Sequence, residues 1–279
     1  MTRTPQPTLG RTLNPLWILR DLWREREVVA QLTRHDVSST YRGSLLGALW
    51  ILVQPLLSLA VYAFVFTVVF QPRAKTGEES RFEFVLSLFA GMVLFNLFSQ
   101  VVSRAPTLVV SRTSYVKNIV FPLQVLPVTA FGTSLVSFAC GLVILLSATW
   151  ISRGALSASV LWLPVSLAPL VCLTLGVAWL LSALGVYLRD VQPAVRVVLQ
   201  LLFFATPIVY SLEAIPEGLR PYAMLNPLAP IVTNARAGLL HGAAPEWSSY
   251  AVSLVVGGLV LVLGYTGFAR ARRGFADVL

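Results

Sequence analysis

Few residues in this chain are of a type that does chemistry, and most of them stand at the margins of long uncharged runs. Tyr41-Arg42 sits just before a run without a charge from Gly43 to Pro72. An arginine there can snorkel to headgroup level while its stem stays in apolar surroundings. Its planar fork offers paired donors that fit phosphate oxygens, and the Tyr41 hydroxyl adds one more. Gly43 and Gly47 would let a lipid chain or another helix come close to the backbone. The plainer alternative is that Arg42 only fixes the orientation of the run. A second group, Arg104, Arg112 and Lys117, lies in a segment (103–118) that holds no acid, and Arg189-Asp190 ends a later apolar run. These charges suit the docking of another protein; the alternative is that they are anchors and solvated side chains.

Catalytic constellations are missing. The chain has two histidines, His35 and His241, and no HExxH, CxxC or paired acids on one helix face. An enzyme working in the membrane would need a cluster of acids, bases or metal ligands. An ion-coupled transporter usually carries ionisable side chains inside its spans, and the apolar runs carry none. No GxxxxGK[ST] loop is present, so ATP hydrolysis by that route is excluded. What remains is a passive channel, a scaffold, or the membrane half of a machine powered elsewhere. Cys140 and Cys172 fall inside apolar runs, where packing is their expected role rather than a disulfide.

The elements that must position these residues follow from composition. Of 279 residues, 56% are hydrophobic and 12% charged, about half the charged share of an ordinary soluble domain. An all-α integral membrane protein is predicted, because only elements that satisfy their own backbone can cross lipid. About 20 apolar residues suffice for one crossing. Six transmembrane helices are expected, near 45–70, 84–102, 123–151, 160–188, 197–212 and 249–269, in a permease-like domain over 41–279. Pro55 should kink the first, and Pro122 and Pro127 the start of the third. Trp162 suits an interface. Residues 1–14 read as a polar, disordered lead with no cleaved signal. Residues 15–40 read as a cytoplasmic interface helix and connector, the helix running from Pro15 to Leu32 with Asn14 as its cap. Its apolar side gathers Leu16, Leu19, Leu22, Trp23 and Ala30. The stretch 213–247 is broken by Asn226-Pro227, Pro230, Asn234 and Arg236. It reads as a re-entrant helical hairpin, or alternatively as a surface loop packed on itself.

Charge orients the whole. The segments expected on one side hold fifteen of the 21 Lys and Arg, and the net charge of +9 falls entirely on that side. Basic residues concentrate on the cytoplasmic face, so both termini are expected there. The positive charge then belongs to a membrane orientation and gives no reason to expect nucleic acid.

Six strings occur in order: YRGSLLGALWILVQPLL (41–57), FPLQVLP (121–127), LSALGVYLRDV (181–191), FFATPIVYS (203–211), NPLAPIV (226–232) and FARARRGFADVL (268–279). Each is weakly specific alone. Together the chain resembles the membrane permease of ABC type-2 exporters, in the branch that exports polysaccharides, O-antigens and teichoic acids. Two departures stand out: Thr40 where the family tends to have a basic residue, and Leu123-Gln124 where a charged pair is expected. The resemblance implies a homodimer in the inner membrane, joined to two separate ATP-hydrolysing subunits. ATP and magnesium would sit on that partner, with no cofactor in this chain. It implies export of a lipid-linked glycan whose diphosphate enters near Tyr41 and Arg42, through a channel walled by Trp50, Tyr62, Phe66, Phe95 and Phe98. The ATPase would dock on Trp23, Arg24, Arg104, Arg112, Lys117, Arg189 and Asp190. Export of small molecules such as drugs, or a membrane scaffold, are the alternatives.

Overall fold

The computed structural model describes residues 15–40, 46–65, 68, 81–113, 121–154, 157–210, 212, 215–240 and 242–279, and among them every regular element is helical. Two helices open the chain, α1 (Pro15–Arg24) and α2 (Arg26–Thr40), separated by a turn at Glu25. The second continues eight residues past the expected end at Leu32. Hydroxyls sustain it: Ser38 donates to the His35 carbonyl (2.9 Å), and Ser39 and Thr40 to that of Asp36 (3.0 and 2.7 Å). The carbonyls of His35 and Asp36 already lie within the helix ladder, and these hydroxyls add further bonds to them. The docked side of α1 also differs from the expected stripe. Ile18 is buried and Leu22 half-buried, whereas Trp23 and Ala30 are exposed.

Among the described residues, five helices are long and apolar enough to cross a membrane. They are α3 (Trp50–Phe64, extended at its start by a 3-10 turn over Gly47–Leu49), α4 (Arg81–Arg104), α5 (Val125–Arg153), α6 (Leu163–Tyr187) and α10 (Trp247–Ala271). At 1.5 Å per residue, the 24 residues of α4 reach about 36 Å, beyond the ~30 Å hydrocarbon core. Pro55 lies inside α3, and the helix continues through it. The expected fifth span, at 197–212, differs. The helix found there, α7 (Val191–Ala205), has 15 residues and starts and stops earlier. Thr206 precedes Pro207, and the proline ring disfavours helical backbone at the residue before it; Thr206 is extended, with ψ 138°. At the other end Arg196 is taken into the helix with its side chain exposed. Two short helices follow, α8 (Arg220–Met224) and α9 (Leu228–Leu240), before α10; a last turn, α11, covers Phe275–Val278.

Contacts sort the helix ends into two groups. Ser182 of α6 donates to the Ala105 carbonyl after α4, Trp179 to the Gln124 carbonyl before α5, and Tyr187 to the Ala271 carbonyl of α10. Asp36 of α2 meets Arg112 in this group, which is called here the Asp36 end. At the opposite, Arg153 end, Arg153 closes α5 against Glu83 of α4 (3.0 Å) and the Leu240 carbonyl of α9. Ser159 donates to the Gly238 carbonyl (2.7 Å) and Trp162 stacks edge-on against Trp247 (5.5 Å). Helices α6 and α10 pack backbone to backbone: a Cβ at Gly264 would strike the Gly176 carbonyl. Small residues give such close approach between membrane helices, where dispersion replaces the hydrophobic drive.

Candidate functional site

The Asp36 end gathers most of the charge, and its arrangement begins with α1. Asp21 lies one turn from buried Ile18 on the docked side of the helix. Its Oδ2 accepts from the Tyr265 hydroxyl of α10 at 2.8 Å and more loosely from the Gln124 amide at 3.4 Å. Arg272 donates to the Gln124 side-chain oxygen at 2.6 Å, while the Gln124 backbone oxygen takes the Trp179 indole N–H at 3.0 Å. The Trp179 ring is fully buried and stands edge-on to Tyr265 at 5.2 Å. Four helix ends, from α1, α5, α6 and α10, therefore meet at one polar cluster. Buried polar groups favour a unique arrangement only when each finds its partner, and here Gln124 serves three of them, two through its side-chain amide and one through its backbone oxygen. Sequence reasoning registered Gln124 only as a departure from a charged pair. It missed Asp21, Tyr265 and Arg272; Asp21 and Tyr265 alone are 244 positions apart.

A second tie fixes α2. Asp36 is 6% exposed, and both its carboxylate oxygens accept from one terminal nitrogen of Arg112, at 2.8 and 2.7 Å. Arg112 lies in the 3-10 turn Val110–Arg112 that follows α4. Close packing of α2 on α5 accompanies it: a Cβ at Gly132 would come within 2.8 Å of the Thr33 hydroxyl. Arg112 thus has its partner inside the subunit. Arg104, Arg189 and Asp190 are exposed at the same end, as are Trp23 and Arg24 on α1. The Trp23 ring carries the Arg26 guanidinium at 5.3 Å from its centroid. Lys117 lies outside the described residues.

Tyr41 and Arg42 also lie outside them, but the residue before them helps to line a cavity. It has a volume of about 70 Å³ and lies between α2, α3, α4 and α5, bounded by Thr40, Ile51, Gln100, Arg104, Thr133 and Ser137 among others. Its wall mixes one cation with several hydroxyl and amide groups, and it sits at the Asp36 end.

The five aromatic candidates do not share one surface. Trp50 is 39% exposed and Tyr62 half-buried, both on α3, of whose apolar window no residue is buried. Phe66 lies outside the described residues. Phe95 and Phe98 are in the core of the subunit, each 5% exposed. Phe95 stands edge-on to Phe203 of α7 at 5.3 Å and tilted to Phe98 at 6.4 Å. Helix α4 is nearly apolar all round, so its sequence carries little information about which side faces inward.

Comparison with known proteins agrees with this arrangement. A family model described as ABC-2 type transporter matches residues 27–240. Over 262 residues the chain is 28% identical to "O-antigen export system permease protein RfbA" of Myxococcus xanthus, covering 93% of this chain and 98% of that protein. It is 24% identical over 254 residues to a protein of the same name from Klebsiella pneumoniae, covering 91% and 95%. With its family match running from α2 through α9, the chain belongs to the ABC-2 type transporter family.

Proposed function

We propose that this chain is the membrane permease subunit of an ATP-driven exporter that moves a lipid-linked polysaccharide from the cytoplasmic to the outer side of the inner membrane. The observation that carries this is end-to-end similarity to relatives that all bear the name of O-antigen export permeases. The Asp36 end is then cytoplasmic, in keeping with the excess of basic residues there. The exposed side chains Trp23, Arg24, Arg104, Arg189 and Asp190 offer a surface for a separate ATPase, with Lys117 nearby in sequence. ATP and magnesium belong to that partner.

Two subunits would pair along α3, of whose apolar window no residue is fully buried within one subunit. Trp50 and Tyr62, with Phe66 further along, would then face the path between them. Aromatic faces suit sugar rings because C–H groups pack on them without a fixed hydrogen-bond geometry. Phe95 and Phe98 would join the path only if α4 and α7 part. The diphosphate would enter near Tyr41 and Arg42, beside the cavity lined by Thr40 and Arg104. A sixth crossing would be shared: α7 rises from the Asp36 end to Phe203, and α9 continues from beside Thr206 to the Arg153 end. Helix α8 would form the re-entrant excursion between them, and both termini would be cytoplasmic.

Expression in a cell lacking its own O-antigen permease, together with a separate ABC ATPase subunit, tests the reading. Surface glycan should appear with both proteins and vanish when either is left out. Glycan retained inside the cell, with resistance to a small drug gained instead, would overturn it.

A further inference from the structure

The junction between α7 and α9 holds a cation that the transport reading has not used. Helix α7 stops at Ala205, and the carbonyls of Pro207 and Ile208 that follow lie outside any helix. Arg236, two turns into α9, reaches back to them: its NH1 donates to the Pro207 oxygen at 2.7 Å and its NH2 to that of Ile208. Ile208 itself is 1% exposed, so those carbonyls have no ready access to water. The guanidinium lies flat against α4 at Gly91, where a Cβ would collide with NH2 and come within 2.9 Å of Cζ. Only glycine leaves that space. On the far side of the junction, Asn226 donates to the Thr206 hydroxyl (2.8 Å) and accepts from the Leu228 amide (3.0 Å), tying the start of α9 to the end of α7.

Among the described residues no carboxylate pairs with Arg236, and its Nε is buried without an acceptor. Neutral carbonyl dipoles hold the side chain, in a geometry that requires a planar fork. Such a contact closes a junction firmly while remaining easier to release than a buried ion pair, whose broken halves leave two stranded charges.

We propose that Arg236 is the clasp that keeps the α7–α9 junction closed against Gly91 of α4. It is a positioning residue for export: while it holds, the Arg153-end half of the subunit is sealed, and its release lets α9 move away from α4 and α7. This rests on the transport reading for its purpose but not for its geometry.

The test uses the full complex of permease and ATPase in liposomes. Without ATP, efflux of an entrapped small fluorescent anion reports whether the junction is sealed. Gly91→Ala, which displaces the guanidinium, and Arg236→Gln, which removes its charge and fork, should each raise efflux by about tenfold or more, the scale of one lost charge-assisted hydrogen bond. The double variant should leak no more than the worse single one, because both break the same contact. A second measurement covers variants that assemble poorly. With Cys140 and Cys172 replaced by serine, Ile208→Cys should react slowly with a water-soluble maleimide, and faster once Arg236→Lys is added. Unchanged efflux and labelling in the single variants, or effects that multiply in the double, would overturn the clasp. Failure to export any glycan, with these leak and labelling results intact, would instead count against the transport reading alone.

Discussion

Replacing Arg112 by glutamine removes the cation that donates to both oxygens of Asp36, at 2.8 and 2.7 Å. The carboxylate is left 8% exposed in its side chain, while Arg112 itself reaches solvent over 21%. Breaking a fully buried pair from one side costs about 3–5 kcal/mol. Because Arg112 is partly wet, the lower end applies, about 3 kcal/mol. That corresponds to roughly a hundredfold shift toward undocked α2. Asp36→Asn should cost less, about 1.5–3 kcal/mol, since an amide oxygen can still accept from the guanidinium. The double variant Asp36→Asn/Arg112→Gln, a neutral pair, should be no worse than Arg112→Gln alone. Hydrogen exchange over the amides of α2 in the purified complex measures this directly, with thermal unfolding in detergent as a second readout. Protection should fall most in Arg112→Gln, less in Asp36→Asn, and recover in part in the double variant. If Arg112→Gln abolished ATPase assembly while α2 kept its protection, and Asp36→Asn did nothing, Arg112 would serve the partner and this reasoning would fail.

Three further outcomes follow from contacts at other places. Gly264→Val drives a side chain into the Gly176 backbone and should destabilise by about 1–3 kcal/mol or more, whereas Gly267→Val, which meets nothing within 4 Å, should leave the unfolding temperature in detergent unchanged. Tyr265→Phe removes the 2.8 Å donor to Asp21; a hydrogen bond to a charged group contributes about 1.5–3 kcal/mol, and limited proteolysis should cut α1 sooner, while Tyr250→Phe leaves it resistant. Reversing Arg104, Arg189 and Asp190 together should abolish co-purification of the ATPase, while single reversals do little, because exposed pairs contribute only about 0–1 kcal/mol each.

How much the sequence discloses depends on the range over which each feature is decided. Helices α4, α5, α6 and α10 were legible to within a few residues because lipid demands long uncharged runs and nothing else could produce them. Helix α7 starts and stops earlier than expected because Pro207 decides its end, while Arg196, which hydropathy treats as a boundary, lies inside the helix with its side chain exposed. The extension of α2 to Thr40 rests on hydroxyls bonding back to carbonyls, in residues whose propensity alone disfavours helix. Phe95 and Phe98 looked available to a channel because α4 has no polar face to orient it; the partner that decides, Phe203, comes from a helix about a hundred positions later. The same distance hides the Asp36–Arg112 tie and the cluster around Gln124. Neither has a local motif: the tie exists only once α2 meets the turn after α4, and the cluster only once four helix ends have been brought together.

The central claim, that the chain carries a glycan across the membrane on energy supplied by a separate subunit, is tested most directly in a reconstituted system. Permease and ATPase are placed in liposomes with a fluorescent lipid-linked glycan on the face where the ATPase sits, and its arrival on the other face is followed with an impermeant quencher. The account predicts transfer that requires ATP, magnesium and both proteins, and none from the permease alone. ATP hydrolysis by the permease alone, or coupled ATP turnover with no movement of the glycan, would contradict it.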